Sequence, residues 1–97
     1  MALYVVLVSW TNQGVRNVKG TIKRADAVVA AARKQKCRVR ELLWTMGSYD
    51  ALAIFEAPND QAMSALALSI ARQGNVRTLT MRAYEKADFA KVIAAVG

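Results

Sequence analysis

The side chains able to do chemistry are few and fall into three groups. Tyr49 and Asp50 stand together just after Gly47-Ser48. A carboxylate accepts hydrogen bonds from backbone N–H groups or an arginine, and a neighbouring phenol can orient a ligand or a proton. Asp50 therefore has two readings: it fixes the turn beside it, or it lines a ligand pocket there. Arg40, Arg77 and Arg82 lie in strand-like stretches with Glu41 and Glu56, where charge is costly unless paired. Paired across a sheet they are structural; gathered at one mouth, the three arginines can hold a carboxylate or phosphate. Trp10 and Trp44, with Tyr84, can wall an apolar pocket or pack into a core or interface.

The chain has no histidine and one cysteine. That removes imidazole bases, histidine triads and most zinc or haem ligation by side chains. Cys37 excludes an internal disulfide. Its neighbours Lys36 and Arg38 favour a thiolate, although a cysteine at a helix–strand junction needs no chemical role. No metal and no cofactor is expected.

The net charge of +7 is unevenly placed. Residues 11–40 hold nine basic side chains against Asp26 alone, a balance of +8; residues 41–97 hold five basic and six acidic ones, a balance of −1. One basic segment attracts anions or forms a solvated helix face. The chain is 97 residues, enough for one domain with one modest core. It has no apolar run of ~18 residues and no basic-flanked leader, so a cytoplasmic protein without a membrane span is expected.

These side chains need elements to position them. Leu3–Trp10 alternates two apolar faces, Leu3, Val5 and Leu7 against Tyr4, Val6, Val8 and Trp10. A helix is expected over about Ile22–Gln35 with Thr21 as N-cap. Ile22, Ala25, Val29 and Ala32 form its buried stripe, while Lys23, Arg24, Arg33 and Lys34 lie mostly outside it. Val39–Glu56 reads as a hairpin, with Gly47-Ser48 as a two-residue turn. Strict alternation puts Val39, Glu41 and Leu43 on one face and Tyr49 on the face of Phe55. Asn59 or Asp60 caps a second long helix that ends near Gly74. A strand over Val76–Ala83 and a helix over Lys86–Val96 complete the chain.

The order β-α-β-β-α-β predicts an α+β, ferredoxin-like domain spanning 1–97. Its antiparallel sheet has order 4-1-3-2, two helices on one face and an added C-terminal helix. The other face holds large apolar groups and no helix long enough to cover four strands, so pairing of two copies through that face is expected.

The stretch Gly47-Ser48-Tyr49-Asp50 through Asp60 resembles the core of the GYD-domain family of small bacterial proteins. So do Tyr4–Leu7 with Trp10–Asn17, and Gly74–Thr78. Gly47, Tyr49 and Asp50 match the family's Gly-x-Tyr-Asp pattern. The loop at Gly20-Thr21 and Cys37 depart from it. The resemblance implies a dimeric α/β-barrel type of domain with no characterised function.

The favoured reading is a homodimeric or higher module that binds a small, anionic ligand or a protein partner at the sheet or interface, without catalysis. The alternative is a cofactor-free enzyme of monooxygenase or isomerase type. Nucleic acid is not an expected partner, because the strand run Gly47–Phe55 lacks the basic and aromatic pattern that stacks bases.

Overall fold

A computed structural model describes residues 1–97. The chain forms β1 (Ala2–Trp10), α1 (Asn12–Arg16), a 3-10 turn at Val18–Gly20, α2 (Thr21–Lys34), β2 (Arg38–Trp44), β3 (Ala51–Ala57), α3 (Asp60–Ala71), β4 (Val76–Ala83) and α4 (Lys86–Ala94). All strand pairs are antiparallel, in the order β2-β3-β1-β4. This is the expected order read from the other edge.

Residues paired across the ladder share a face, so the register assigns the faces. One face carries the rows Val39-Phe55-Tyr4-Arg82, Leu42-Ala53-Val6-Thr80 and Trp44-Ala51-Val8-Thr78. Helices α2 and α3 lie on it. The core is there: Tyr4, Val6, Ala53, Phe55 and Ala57 pack with Ala32, Cys37, Met63 and Leu66. The opposite face carries Leu43-Leu52-Leu7-Leu79 and Glu41-Ile54-Val5-Met81, and no helix covers it.

Local chemistry sets the helix ends. Asn59 accepts from the Ala62 N–H at 2.9 Å and starts α3. At the end of α2, the Lys36 N–H bonds the Arg33 carbonyl at 3.0 Å and the Cys37 N–H bonds the Ala32 carbonyl at 2.8 Å. This is a Schellman closure with Lys36, at φ 60, in the left-handed position usually given to glycine.

Five expectations are corrected. The β2–β3 ladder ends at Trp44–Ala51, with one further bond from the Thr45 N–H to the Asp50 carbonyl at 2.9 Å. The tip is therefore longer than a two-residue turn. Tyr49 leaves the strand and does not share the face of Phe55. A bulge between Val39 and Glu41 makes Arg40 the extra residue, which moves Val39 to the helix-covered face while Glu41 and Leu43 stay on the bare one. Thr21 does not cap α2: the N-cap is Gly20, with no side-chain bond. Ile22 is 59 % exposed, and the inward face of α2 runs through Arg24, Ala25, Val28 and Ala31.

The C-terminal helix does not fold across the sheet. Every residue from Tyr84 onward is exposed, and the Phe89 ring meets that of Tyr84 edge-on at 5.8 Å.

Candidate functional site

A cavity of about 520 Å³ lies between α2, α3 and the helix-covered sheet face. Small residues create it. Ala51 and Ala53 form the floor and Ala25, Ala27 and Ala31 the α2 wall, where larger side chains would fill the gap between the helices. The alanines of α2 that line it therefore leave space between helix and sheet. Trp10 and Trp44 stand at one end of the cavity, with Val76 and Thr78 behind them. At this end the Trp44 indole N–H donates to the Thr21 hydroxyl at 3.1 Å, tying the edge strand β2 to the start of α2.

Polar groups on the wall are few: Thr21, Arg24, Ser69, Gln73, Asn75 and Thr78. No carboxylate is among them. Ser69 is already committed, donating to the Ala65 carbonyl at 2.8 Å. Arg24 donates through Nη1 to the Asn17 carbonyl at 2.7 Å. Its Nη2 is shielded from solvent and finds no acceptor. The ion pairs of the molecule, Arg38–Glu56 and Arg40–Glu85, do not include it.

The rim beside the tryptophans is held by one clasp. The Thr11 hydroxyl accepts from the Gly14 N–H at 3.1 Å, capping α1, and donates to the Gly74 carbonyl at 2.6 Å. The Thr11 N–H bonds the Asn75 carbonyl at 3.1 Å. Gln13 Nε2 reaches the Gln73 carbonyl and Asn75 Oδ1, both at 3.1 Å. Gly14 is pressed so close to Asn75 that a Cβ would sit 1.9 Å from its carbonyl oxygen. Asp50 closes the same end of the sheet: its carboxylate accepts from the Trp10 N–H at 2.8 Å, and its own N–H bonds the Val8 carbonyl at 2.8 Å. In this geometry Asp50 fixes the hairpin to β1.

The other sequence candidates separate. Trp10 and Trp44 do come together in the cavity, but Tyr84 lies elsewhere, against Phe89. Tyr49 lines a hollow of about 220 Å³ with Leu7, Met46 and Leu52, beside the bare face. The three arginines do not meet. Arg77 pairs with Ser9 on the bare face, and Arg82 with Tyr4 on the covered face at the opposite end of β4. The Arg82 guanidinium stacks over Tyr84 at 4.7 Å and donates to the Leu3 and Ala83 carbonyls. The bulge aims Arg40 at Glu85. Each guanidinium near the N-terminal end of β1 is thus already occupied, and an anion site built from all three is not present.

Two titrations bear on chemistry. Burial pushes the Cys37 thiol up, so the flanking cations do not activate it. Tyr4 is raised to about 12, first by burial and then by its hydrogen bond to Asp60.

Arg24 and the clasp residues Gln13, Gln73 and Asn75 were not legible as site residues. The available signal for Arg24 was its spacing, three residues after Thr21 and four before Val28, on the stripe that turns out to face the sheet.

Comparison with solved structures agrees with the fold. The chain is similar to the crystal structure of TTHA0845 from Thermus thermophilus, with 21 % identity, TM-score 0.57, and coverage of 88 % of this chain and 95 % of that one. It is also similar to the solution structure of the C-terminal domain of the MgtC protein from Mycobacterium tuberculosis, with 12 % identity, TM-score 0.55, and coverage of 86 % and 88 %. At these identities the likeness concerns the fold alone. The search among curated proteins gives no match. The GYD domain model matches residues 4–93. The chain belongs to the GYD-domain family.

Proposed function

We propose that this protein is a non-catalytic binding module that works as a homodimer of the dimeric α/β-barrel type, two copies packing through the bare faces of their sheets. The observation that carries this reading is the unbroken row Leu43-Leu52-Leu7-Leu79 across all four strands. Leu43 and Leu79 remain 50 % and 49 % exposed. A contiguous apolar face of this kind marks an association surface.

The shape of the protomer supports it. Its accessible surface is 6780 Å², about 1,300 Å² more than a compact chain of this mass should show. A standard interface takes about 800 Å² from each partner, so the excess is large enough to be an interface. Helix α4 fits the same picture. It presents Phe89, Val92 and Ile93 to solvent, and nine residues are too few to hold a helix in water without packing. A second copy supplies the surface that the chain itself does not.

The cavity wall supports binding over turnover. It offers hydroxyls and amides, groups that hold a ligand, and no carboxylate, imidazole or thiolate placed to take a proton. The test is analytical ultracentrifugation at micromolar concentration. The wild type should sediment as a dimer, and Leu43→Lys with Leu79→Lys as a folded monomer. A wild-type monomer rejects the pairing. Reproducible turnover of quinols or small lactones rejects the non-catalytic reading in favour of a cofactor-free enzyme.

A further inference from the structure

From the layout of the cavity lining, we infer that the space between α2, α3 and the sheet is a site for a neutral molecule with an apolar body and one hydroxyl, the hydroxyl placed at Thr78. The inference rests on the binding half of the function proposed above, whose ligand class it names, and is independent of the pairing half.

The volume, about 520 Å³, is that of a small-molecule site. Fourteen of its twenty lining residues are hydrophobic, so the body of the ligand is apolar. Protein interiors are otherwise close-packed. Here five alanines, on β3 and α2, leave the space open. The floor also has a direction. The row Trp44-Ala51-Val8-Thr78 crosses all four strands, a span of three strand spacings or about 14 Å. Its β2 edge is apolar, carrying Trp44 and Leu42. Its β4 edge carries Thr78, and the polar Gln73 and Asn75 lie in the loop that leads into β4. An elongated ligand fits along that row, its tail toward Trp44 and its polar group toward Thr78.

The wall argues against a charged ligand. It holds no carboxylate, and Arg24 is its one charged side chain. Arg24 Nη1 is bonded to the Asn17 carbonyl, and Nη2 has no surface for a ligand to touch. A charge brought into the space would lose its water without gaining a partner, which costs far more than burying a hydroxyl that finds one. Among the wall hydroxyls, Ser69 is engaged with the Ala65 carbonyl and Thr21 with Trp44. Thr78 has no such partner. It is half-buried, and its pairing with Val8 puts its side chain on the covered face. A hydroxyl on the ligand complements it, since each group can both donate and accept.

The molecule carries its own reporter. Its only two tryptophans, Trp10 and Trp44, both line the cavity. Titration with 1-octanol should change the tryptophan emission saturably, and calorimetry should give the same affinity. Octanoate and octylammonium, the same chain with a charge of either sign, should each bind at least about tenfold more weakly at neutral pH. Thr78→Val should weaken octanol binding about fivefold, and Thr78→Ser, which keeps the hydroxyl, should restore it. Ala25→Phe should abolish binding while the circular dichroism stays native. Ala27→Trp, at an exposed position on the same wall, serves if Ala25→Phe does not fold, with binding then read by calorimetry. Leu43→Lys with Leu79→Lys, on the bare face, should bind octanol as the wild type does. Equal affinity for either charged probe, binding unchanged by Thr78→Val, or full binding in a folded cavity-filling variant each overturn the inference. So does loss of binding in the bare-face variant, or the absence of both heat and emission change at millimolar octanol. Sedimentation of the same samples keeps the two proposals apart. A monomer that binds octanol in the cavity retains this site and rejects the pairing; a dimer that does not bind it rejects this site alone.

Discussion

The two faces of the sheet are filled the opposite way from what their covering suggests. The face under the helices carries the row Trp44-Ala51-Val8-Thr78, and the bare face, one residue along each strand, carries Leu43-Leu52-Leu7-Leu79. A lone protomer would place its larger side chains under its helices and its smaller ones toward water. The reversal teaches that covering by helices and filling by large side chains are set separately: one face keeps a hollow, the other uncovered leucines. The covered face keeps a hollow because its floor and wall are alanine. The bare face leaves Leu43 and Leu79 about half exposed. Only the end near Phe55, Met63 and Leu66 packs like an ordinary core, and those three side chains are the largest fully buried ones.

Substitution can break this contrast at several strengths. The largest effect is expected at the clasp on the cavity rim. Gly14→Ala sets a Cβ against the Asn75 carbonyl, a backbone atom that cannot step aside, and should cost at least about 3 kcal/mol in chemical denaturation. A cost below about 1 kcal/mol would show that the rim yields. Phe55→Ala should cost about 3–5 kcal/mol, as a large core deletion does. Leu79→Ala, on the bare face, should cost under about 1 kcal/mol in dilute protein and weaken self-association at higher concentration. Equal costs for the two would erase the distinction between the faces.

Alkaline titration reads the packed end alone. Tyr4 is raised from its ordinary value near 10 to about 12, so the folded state keeps a proton that the unfolded state loses. Its contribution to stability is complete below about pH 10 and disappears as the pH rises from about 10 to about 12. Melting temperatures across that window should fall more steeply for the wild type than for Tyr4→Phe. Parallel slopes would mean that the phenol is not held by burial and Asp60.

The smallest expected change is a gain. Lys36 holds a left-handed conformation at the end of α2, and Lys36→Gly should raise stability by about 1 kcal/mol. The effect should not change with protein concentration, since the residue lies on neither face of the sheet. A loss on substitution would mean that the lysine side chain contributes something the backbone strain conceals.

Much of this architecture was readable from local pattern. The alternation of Leu3, Val5 and Leu7 against Tyr4, Val6 and Val8 separates the two faces of β1 before any neighbour is known, because a strand turns successive side chains to opposite sides. Asn59 announces the start of α3 through a side chain that reaches only three residues along. The element order restricts the sheet to the arrangement found. The site was far less readable. The bulge at Arg40 shifts the faces of β2 by one residue, and no local signal distinguishes it from regular alternation. Tyr49 leaves the strand because Asp50 is held by Val8 and Trp10, residues some forty positions away. Arg24 lies one position outside the stripe drawn through Ile22 and Ala25, and a small rotation of α2 about its axis carries it from solvent to cavity. Periodicity sets which residues share a helix face but not the angle at which that face meets a sheet. That angle follows from long-range contacts, here the Trp44–Thr21 hydrogen bond and the burial of Ala32 and Cys37, and with it came the cavity and the charge on its wall.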